Sequence, residues 1–177
     1  KEYTYYQLLT EDKSYEVNLY SQVSQIVSDF GVSSLTDLNS NFYMRWYIVD
    51  RNTRKPLTGN DGKILSMKEY LSPKVEGYEH VQQKYGMIWT TNLSDNDFAN
   101  TADDANILNA MVTLPDGYTQ ADVALMCVMT NDLTDLGTNN YEGLLVHKEP
   151  TNLKAVYTCL FITEEEAENL TYKTSAL

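Results

Sequence analysis

The sequence is poor in the residues that most often build a catalytic or metal centre. Its 177 residues include two histidines, His80 and His147, and two cysteines, Cys127 and Cys159. No His-Glu-x-x-His run and no paired-cysteine spacing is present, so a zinc site is not predicted. A Gly-x-Ser-x-Gly elbow and a glycine-rich phosphate loop are missing as well. The sequence therefore predicts no catalytic residue, no metal and no cofactor.

Positive charge and long apolar runs are also scarce. Lysine and arginine number 13 against 25 aspartates and glutamates, which gives a formal net charge of −12. Such a field repels phosphate groups, in nucleic acids and in anionic lipids alike. No apolar run reaches the roughly 20 residues that a membrane-spanning helix needs. We expect no nucleic-acid partner and no membrane insertion by this domain, whereas neutral glycans and cations stay open as ligands.

The start of the sequence and the two cysteines bear on where the protein resides. The chain begins at Lys1, without Met and without an apolar signal segment. This start indicates a mature or trimmed chain, and any export signal or lipid anchor would have been removed with the missing segment. Cys127 and Cys159 both lie in apolar runs, which leaves two alternatives: two buried free thiols or one disulfide.

Fourteen tyrosines stand out in what the chain does contain, and they favour strands. Apolar runs and alternation predict about eight strands, near residues 1–12, 15–19, 42–49, 85–90, 107–114, 123–129, 144–146 and 154–162. Helical spacing predicts a short helix over 22–30, with Ser21 as its cap and a strand through Val27 as the alternative. A capping box at 66–69 predicts one or two helical turns over 67–71. A turn at 60–62 predicts a hairpin, and Thr163 to Glu166 can cap a final short helix.

These patterns indicate a mainly β fold. Strands follow one another with turn signals between them, and no regular alternation with helices is present. We predict an antiparallel, immunoglobulin-like sandwich of about seven to nine strands with one or two short helices, forming a single domain over residues 1–177.

Four stretches carry a resemblance to a known class of domains. They are residues 41–50, 114–118, 121–132 and 154–162. In their order and spacing they resemble the immunoglobulin-like β-sandwich domains found near the N-termini of exported surface lipoproteins of gut Bacteroidetes. The resemblance implies an exported module, at the cell surface or anchored to the outer membrane through a removed N-terminal signal, and often one part of a larger glycan-binding or adhesive protein.

The same resemblance assigns places to individual residues. It implies that Trp46 is the core tryptophan of a central strand and that Cys127 lies on the strand packed near it. Two features depart from a true immunoglobulin domain: no earlier cysteine exists to pair with Cys127, and Leu125 stands where a tyrosine is usual. The likeness therefore lies in the order and spacing of strands and turns rather than in a specific motif.

A long polar stretch over residues 92–106 contains several acids, among them Asp95, Asp97, Asp103 and Asp104. Carboxylates from a flexible loop can bind Ca²⁺. The EF-hand pattern fails here, because Ala99 and Asn100 occupy positions that require a ligand and a glycine. A solvated acidic loop is the favoured interpretation.

The predicted ligand-binding residues are Trp89, Asn92, Asp95 and Asp97. An aromatic ring beside amide and carboxylate groups suits sugar binding, because the ring stacks on CH faces and the polar groups bond hydroxyls. A Trp89 buried in the core is the alternative.

The sequence thus predicts a non-enzymatic module of a secreted or cell-surface protein, with a glycan or another surface protein as its partner. An accessory or catalytic domain of a carbohydrate-active enzyme and a purely structural spacer domain are the alternatives.

Overall fold

The structure is a computed structural model that describes residues 1–31, 33, 43–62, 70–73, 80–83, 86–90, 108–130 and 154–175. Two α-helices are described, α1 (Val23–Asp29) and α2 (Glu164–Ser175), and none of the helices in these ranges is long and apolar enough to cross a membrane. The nine strands are β1 (Glu2–Leu8), β2 (Ser14–Val17), β3 (Tyr43–Asp50), β4 (Leu71–Pro73), β5 (His80–Gln83), β6 (Gly86–Thr90), β7 (Ala110–Thr113), β8 (Val123–Thr130) and β9 (Lys154–Ile162). The predicted mainly β fold is confirmed.

The strands form two sheets. One has six strands in the order β1-β9-β8-β3-β6-β5, and the other has three in the order β2-β7-β4. Every neighbouring pair is antiparallel except β1 and β9, which run parallel with Glu2 opposite Val156 and Leu8 opposite Ile162. The prediction of a wholly antiparallel arrangement is therefore wrong for β1. Parallel neighbours need a long connection, and nearly the whole chain separates these two strands.

One apolar core lies between the two sheets. Buried side chains from both sheets and from α1 form a single cluster that includes Val17, Ile26, Val112 and Trp46. Trp46 is fully buried on β3 and faces Cys127 across the β3–β8 pair. The predicted core position of Trp46, with Cys127 on the neighbouring strand, is confirmed.

The centre of the six-stranded sheet is buried on its other face too. Tyr47 and Val49 of β3, Ala124 and Met126 of β8, and Val156 of β9 form a second buried cluster on that face. Because β8 is buried along its whole length, its sequence reads as a continuous apolar run rather than an alternation.

The first helix follows its sequence signals with one difference. It begins after a 3-10 turn over Leu19–Gln22, whose cap is Asn18 and not the expected Ser21: the Asn18 side chain accepts a hydrogen bond from the Ser21 N–H at 3.2 Å. It ends before Gly31, which has φ of +68° and so a conformation that glycine adopts without strain. The helix predicted over 22–30 is confirmed, and the alternative strand is not formed.

Several further elements test the predictions made from the sequence. Residues 115–118 form a turn, in which the Tyr118 N–H donates to the Pro115 carbonyl at 3.2 Å. Leu71 lies in strand β4, so the helix predicted to reach residue 71 is wrong there. Strand β5 was not predicted, because its sequence from His80 onward is mostly polar. The loop at 92–106, the strand at 144–146 and His147 lie outside the described residues.

Candidate functional site

The structure locates only one of the four predicted binding residues. Trp89 lies on β6, opposite Met44 of β3 and His80 of β5. The strand predicted around it is confirmed. Asn92, Asp95 and Asp97 fall outside the described residues, as do Asp103 and Asp104. The grouping of Trp89 with these polar residues stays a prediction.

Strand β1 offers a different surface. Tyr6 and Leu8 are 48% and 50% exposed, and they are the exposed large hydrophobic side chains among the residues the structure describes. Their neighbour Tyr5 points the other way and is buried in the core. Because side chains of a strand alternate between faces, Thr4, Tyr6 and Leu8 share the outer face of the sheet. We call Tyr6 and Leu8 the β1 patch.

A groove borders the β1 patch where α2 passes the sheet. Its volume is about 360 Å³. The lining combines one aromatic ring, one guanidinium, one carboxylate, one amide and three aliphatic side chains: Tyr6, Arg51, Glu166, Asn169, Leu160, Ile162 and Leu170. We call it the α2 groove.

Local hydrogen bonds fix the two charged groups of the α2 groove. Thr163 and Glu166 form a capping box at the start of α2: the Glu166 N–H donates to Thr163 Oγ1 at 3.1 Å, and the Thr163 N–H donates to Glu166 Oε1 at 3.2 Å. The bond from the Thr163 backbone holds the pKa of Glu166 below its ordinary value. Arg51 donates from Nη1 to the Phe161 carbonyl at 2.6 Å. The predicted cap at 163–166 is confirmed, and it places a carboxylate at the groove.

A second groove lies at the end of the sandwich. It has a volume of about 430 Å³, and residues 9–13 line it together with the turn 114–121. Its buried amide is already satisfied, because Gln120 Nε2 donates to Thr10 Oγ1 at 2.7 Å and Gln120 Oε1 accepts from the Thr10 N–H at 3.0 Å. Lys13 and Asp116 pair with each other beside it. These bonds join two loops, so we interpret this end as structural.

The carboxylate of Asp29, at the end of α1, is buried. Its side chain is 4% exposed. The hydroxyls of Tyr3 and Tyr157 donate to its two oxygens at 2.6 and 2.7 Å, and Gln25 Nε2 donates at 3.0 Å. Burial alone would raise the pKa of Asp29, but these three hydrogen bonds hold it below its ordinary value. The carboxylate is saturated with donors and ties α1 to β1 and β9. Sequence reasoning missed it, because no local motif marks it.

Neither cysteine has the surroundings of a reactive thiol. Both are buried and free, which answers the question that the sequence left open. Burial raises the pKa of Cys159 to about 12 and that of Cys127 well above its ordinary value. In the described ranges no three His, Cys, Asp or Glu side chains are grouped as a metal site would require.

No protein-family model, no curated protein and no solved structure matches the chain.

Proposed function

We propose that this chain is a non-enzymatic binding module of an exported surface protein and that it contacts a glycan or another surface protein through the β1 patch and the α2 groove. The observation that carries the proposal is the exposure of Tyr6 and Leu8 on an edge strand, next to a groove with both charged and amide groups. Exposed apolar side chains rimmed by polar groups are typical of binding surfaces.

We also propose that the sandwich is immunoglobulin-like. In support, β9, β8 and β3 lie side by side as strands G, F and C do, and β2, β7 and β4 lie as B, E and D do. A buried tryptophan on β3 adds to this likeness. One difference lies in the order of strands along the sequence. Here β4, at the position of D, precedes the β5–β6 pair, whereas in variable-type domains the two extra strands beside C precede D.

The surface location rests on two supports. The resemblance to exported surface domains is one, and the net charge of −12, which keeps a displayed domain soluble, is the other. Protease treatment of intact cells that express the full-length gene tests it. Digestion of this domain in intact cells is the expected result, and protection until lysis would contradict the proposal.

The binding proposal is tested by replacing one tyrosine at each of the two grooves. The Tyr6→Ala variant should lose binding to a probe identified on a glycan array or from a random-peptide library, because the exposed ring leaves the surface. Tyr118→Ala is the matched control: it removes the same side chain at the sandwich-end groove. Both variants are first shown to fold by circular dichroism. Binding that depends on Tyr118 and not on Tyr6 would assign the site to the other groove, and no probe binding at all would reject the proposal.

A further inference from the structure

Strand β1 has an open side along its backbone. In the six-stranded sheet it is a terminal strand, with β9 on one side and no described strand on the other. The Lys1 carbonyl accepts from the Val156 N–H at 2.9 Å, and the Leu9 N–H donates to the Ile162 carbonyl at 2.8 Å. Since peptide groups alternate in direction along a strand, the odd-numbered residues of β1 bond to β9. The N–H and C=O groups of Glu2, Thr4, Tyr6 and Leu8 therefore point away from the sheet.

The other strand edges of the two sheets are protected in ways that β1 is not. Strands β2 and β5 have four residues each, and β4 has three and ends in Pro73. Short strands, prolines and charges are the usual means by which proteins keep sheet edges from pairing with other chains. Strand β1 has seven residues and no proline, and the chain is uncharged from Tyr3 to Thr10. Its open side thus retains the features of a pairing edge.

The outward peptide groups and the exposed side chains of β1 belong to the same residues. Tyr6 and Leu8, which carry outward peptide groups, are also the residues whose side chains are exposed. A strand laid beside β1 would gain main-chain hydrogen bonds from Thr4, Tyr6 and Leu8, and its side chains on the outer face would lie next to Tyr6 and the α2 groove. A sugar ring could stack on the aromatic face and bond one or two peptide groups, whereas an extended peptide matches the whole row.

We infer that the partner of this surface is an extended peptide segment of another protein, which adds to the edge of the six-stranded sheet as a strand beside β1. The inference rests on the proposed function, because it uses the same β1 patch and names the partner class. The segment carries apolar side chains at alternate positions, to cover Tyr6 and Leu8, and at least one basic residue. Glu2 at the start of β1 and the Glu164–Glu166 run at the start of α2 supply the complementary negative charge.

A second copy of this chain fits the edge less well. Each copy carries a formal charge of −12, so two copies repel each other as they approach. A basic segment approaches the same edge with electrostatic attraction. The charge of the chain therefore favours a different protein over self-association.

The first test selects a linear peptide from a random displayed library against the full chain and measures its affinity by fluorescence polarisation. Two synthetic versions are then compared, each N-methylated at one of the two alternating sets of amides. Methylation of the set that faces β1 should weaken binding roughly 100-fold, since several hydrogen bonds are lost together, and methylation of the other set should change it little. Equal effects of the two sets would overturn strand addition.

The second test changes the protein. Thr4→Pro removes one outward N–H without breaking a bond to β9, and Thr4→Ala is the control that keeps this N–H. We expect peptide affinity to fall roughly 2- to 12-fold in the proline variant, the value of one ordinary hydrogen bond, and to stay within about 2-fold in the alanine variant. Hydrogen exchange on the unaltered chain gives a readout that needs no variant: the amides of Thr4, Tyr6 and Leu8 should gain protection when the peptide binds.

The outcomes separate this inference from the proposed function. A glycan that binds through Tyr6 and is insensitive to Thr4→Pro would overturn strand addition and leave the binding module intact. Concentration-dependent dimers in light scattering, abolished by Thr4→Pro, would assign the edge to a second copy and overturn the inference. If neither a glycan nor a peptide binds through Tyr6, both proposals fail.

Discussion

The hydroxyl of Tyr157 provides a sharp test of the buried cluster around Asp29. Tyr157 is fully buried, and its hydroxyl donates to Asp29 Oδ2 at 2.7 Å. Tyr157→Phe removes this bond and keeps the ring, including its stacking on Tyr3 at a centroid distance of 5.4 Å. A hydrogen bond to a charged group contributes about 1.5–3 kcal/mol. The melting temperature of a chain this size should therefore fall by roughly 3–12 °C.

A second tyrosine makes the comparison quantitative. Tyr15 is also buried, with its ring edge-on to Phe161 at 5.2 Å, but its hydroxyl has no hydrogen-bond partner among the described residues. Tyr15→Phe removes the same atom without breaking a bond, so the free energy of unfolding should stay within about 0.5 kcal/mol of the original or rise. Urea unfolding of both variants measures the difference. Equal losses in the two would refute the reasoning.

The same cluster has a pH signature. Because the folded-state pKa of Asp29 lies below its ordinary value of 3.8, its contribution to stability is complete at neutral pH. That contribution is lost as pH falls from about 5 through the folded-state pKa. Asp29→Asn should therefore unfold with a shallower dependence on pH below 5 than the unaltered chain. An identical dependence in both would show that Asp29 does not contribute to acid unfolding.

Two further predictions concern the thiols and the second helix. Cys127 and Cys159 are buried with raised pKa values, so both should resist a thiol reagent at pH 8 in the folded chain and react only at the rate of unfolding. Fast labelling of either thiol without denaturant would contradict their burial. Thr163→Ala removes the cap of α2 and should destabilise the chain by about 1 kcal/mol, whereas Thr163→Ser keeps the hydroxyl and should cost much less. Thermal unfolding by circular dichroism compares the two.

Local sequence patterns predicted those elements of the fold that carry a clear signal of their own. Strand β8 is apolar from Val123 to Met129, and α2 follows a threonine cap at 163 with a glutamate three residues later, so each element carries its own signal. Strand β5 carries no such signal, since its pairing with β6 and not its composition makes it a strand. The parallel contact of β1 with β9 was beyond sequence reasoning for the same reason: it joins distant segments and leaves no local trace.

The candidate site shows the same limit. Tyr3, Tyr5, Tyr6 and Leu8 make both faces of β1 apolar, so alternation alone does not say which face is exposed. The packing of the inner face of β1 against the core distinguishes buried Tyr5 from Tyr6 and Leu8, which lie on the outer face. The sequence directed attention instead to Trp89, whose surroundings of amides and acids looked more like a sugar site.

The pairing of β1 with β9 also sets an order on folding. Glu2 lies opposite Val156, so the earliest strand in the chain acquires its neighbour only after almost all of the sequence has been synthesised. Contacts between such distant segments close large loops and slow the folding reaction. Until then a tyrosine-rich, uncharged segment stays without its partner and is prone to aggregation. We therefore expect the six-stranded sheet to be completed only after residue 162 has been synthesised, and we expect β1 to need protection from other strands until then.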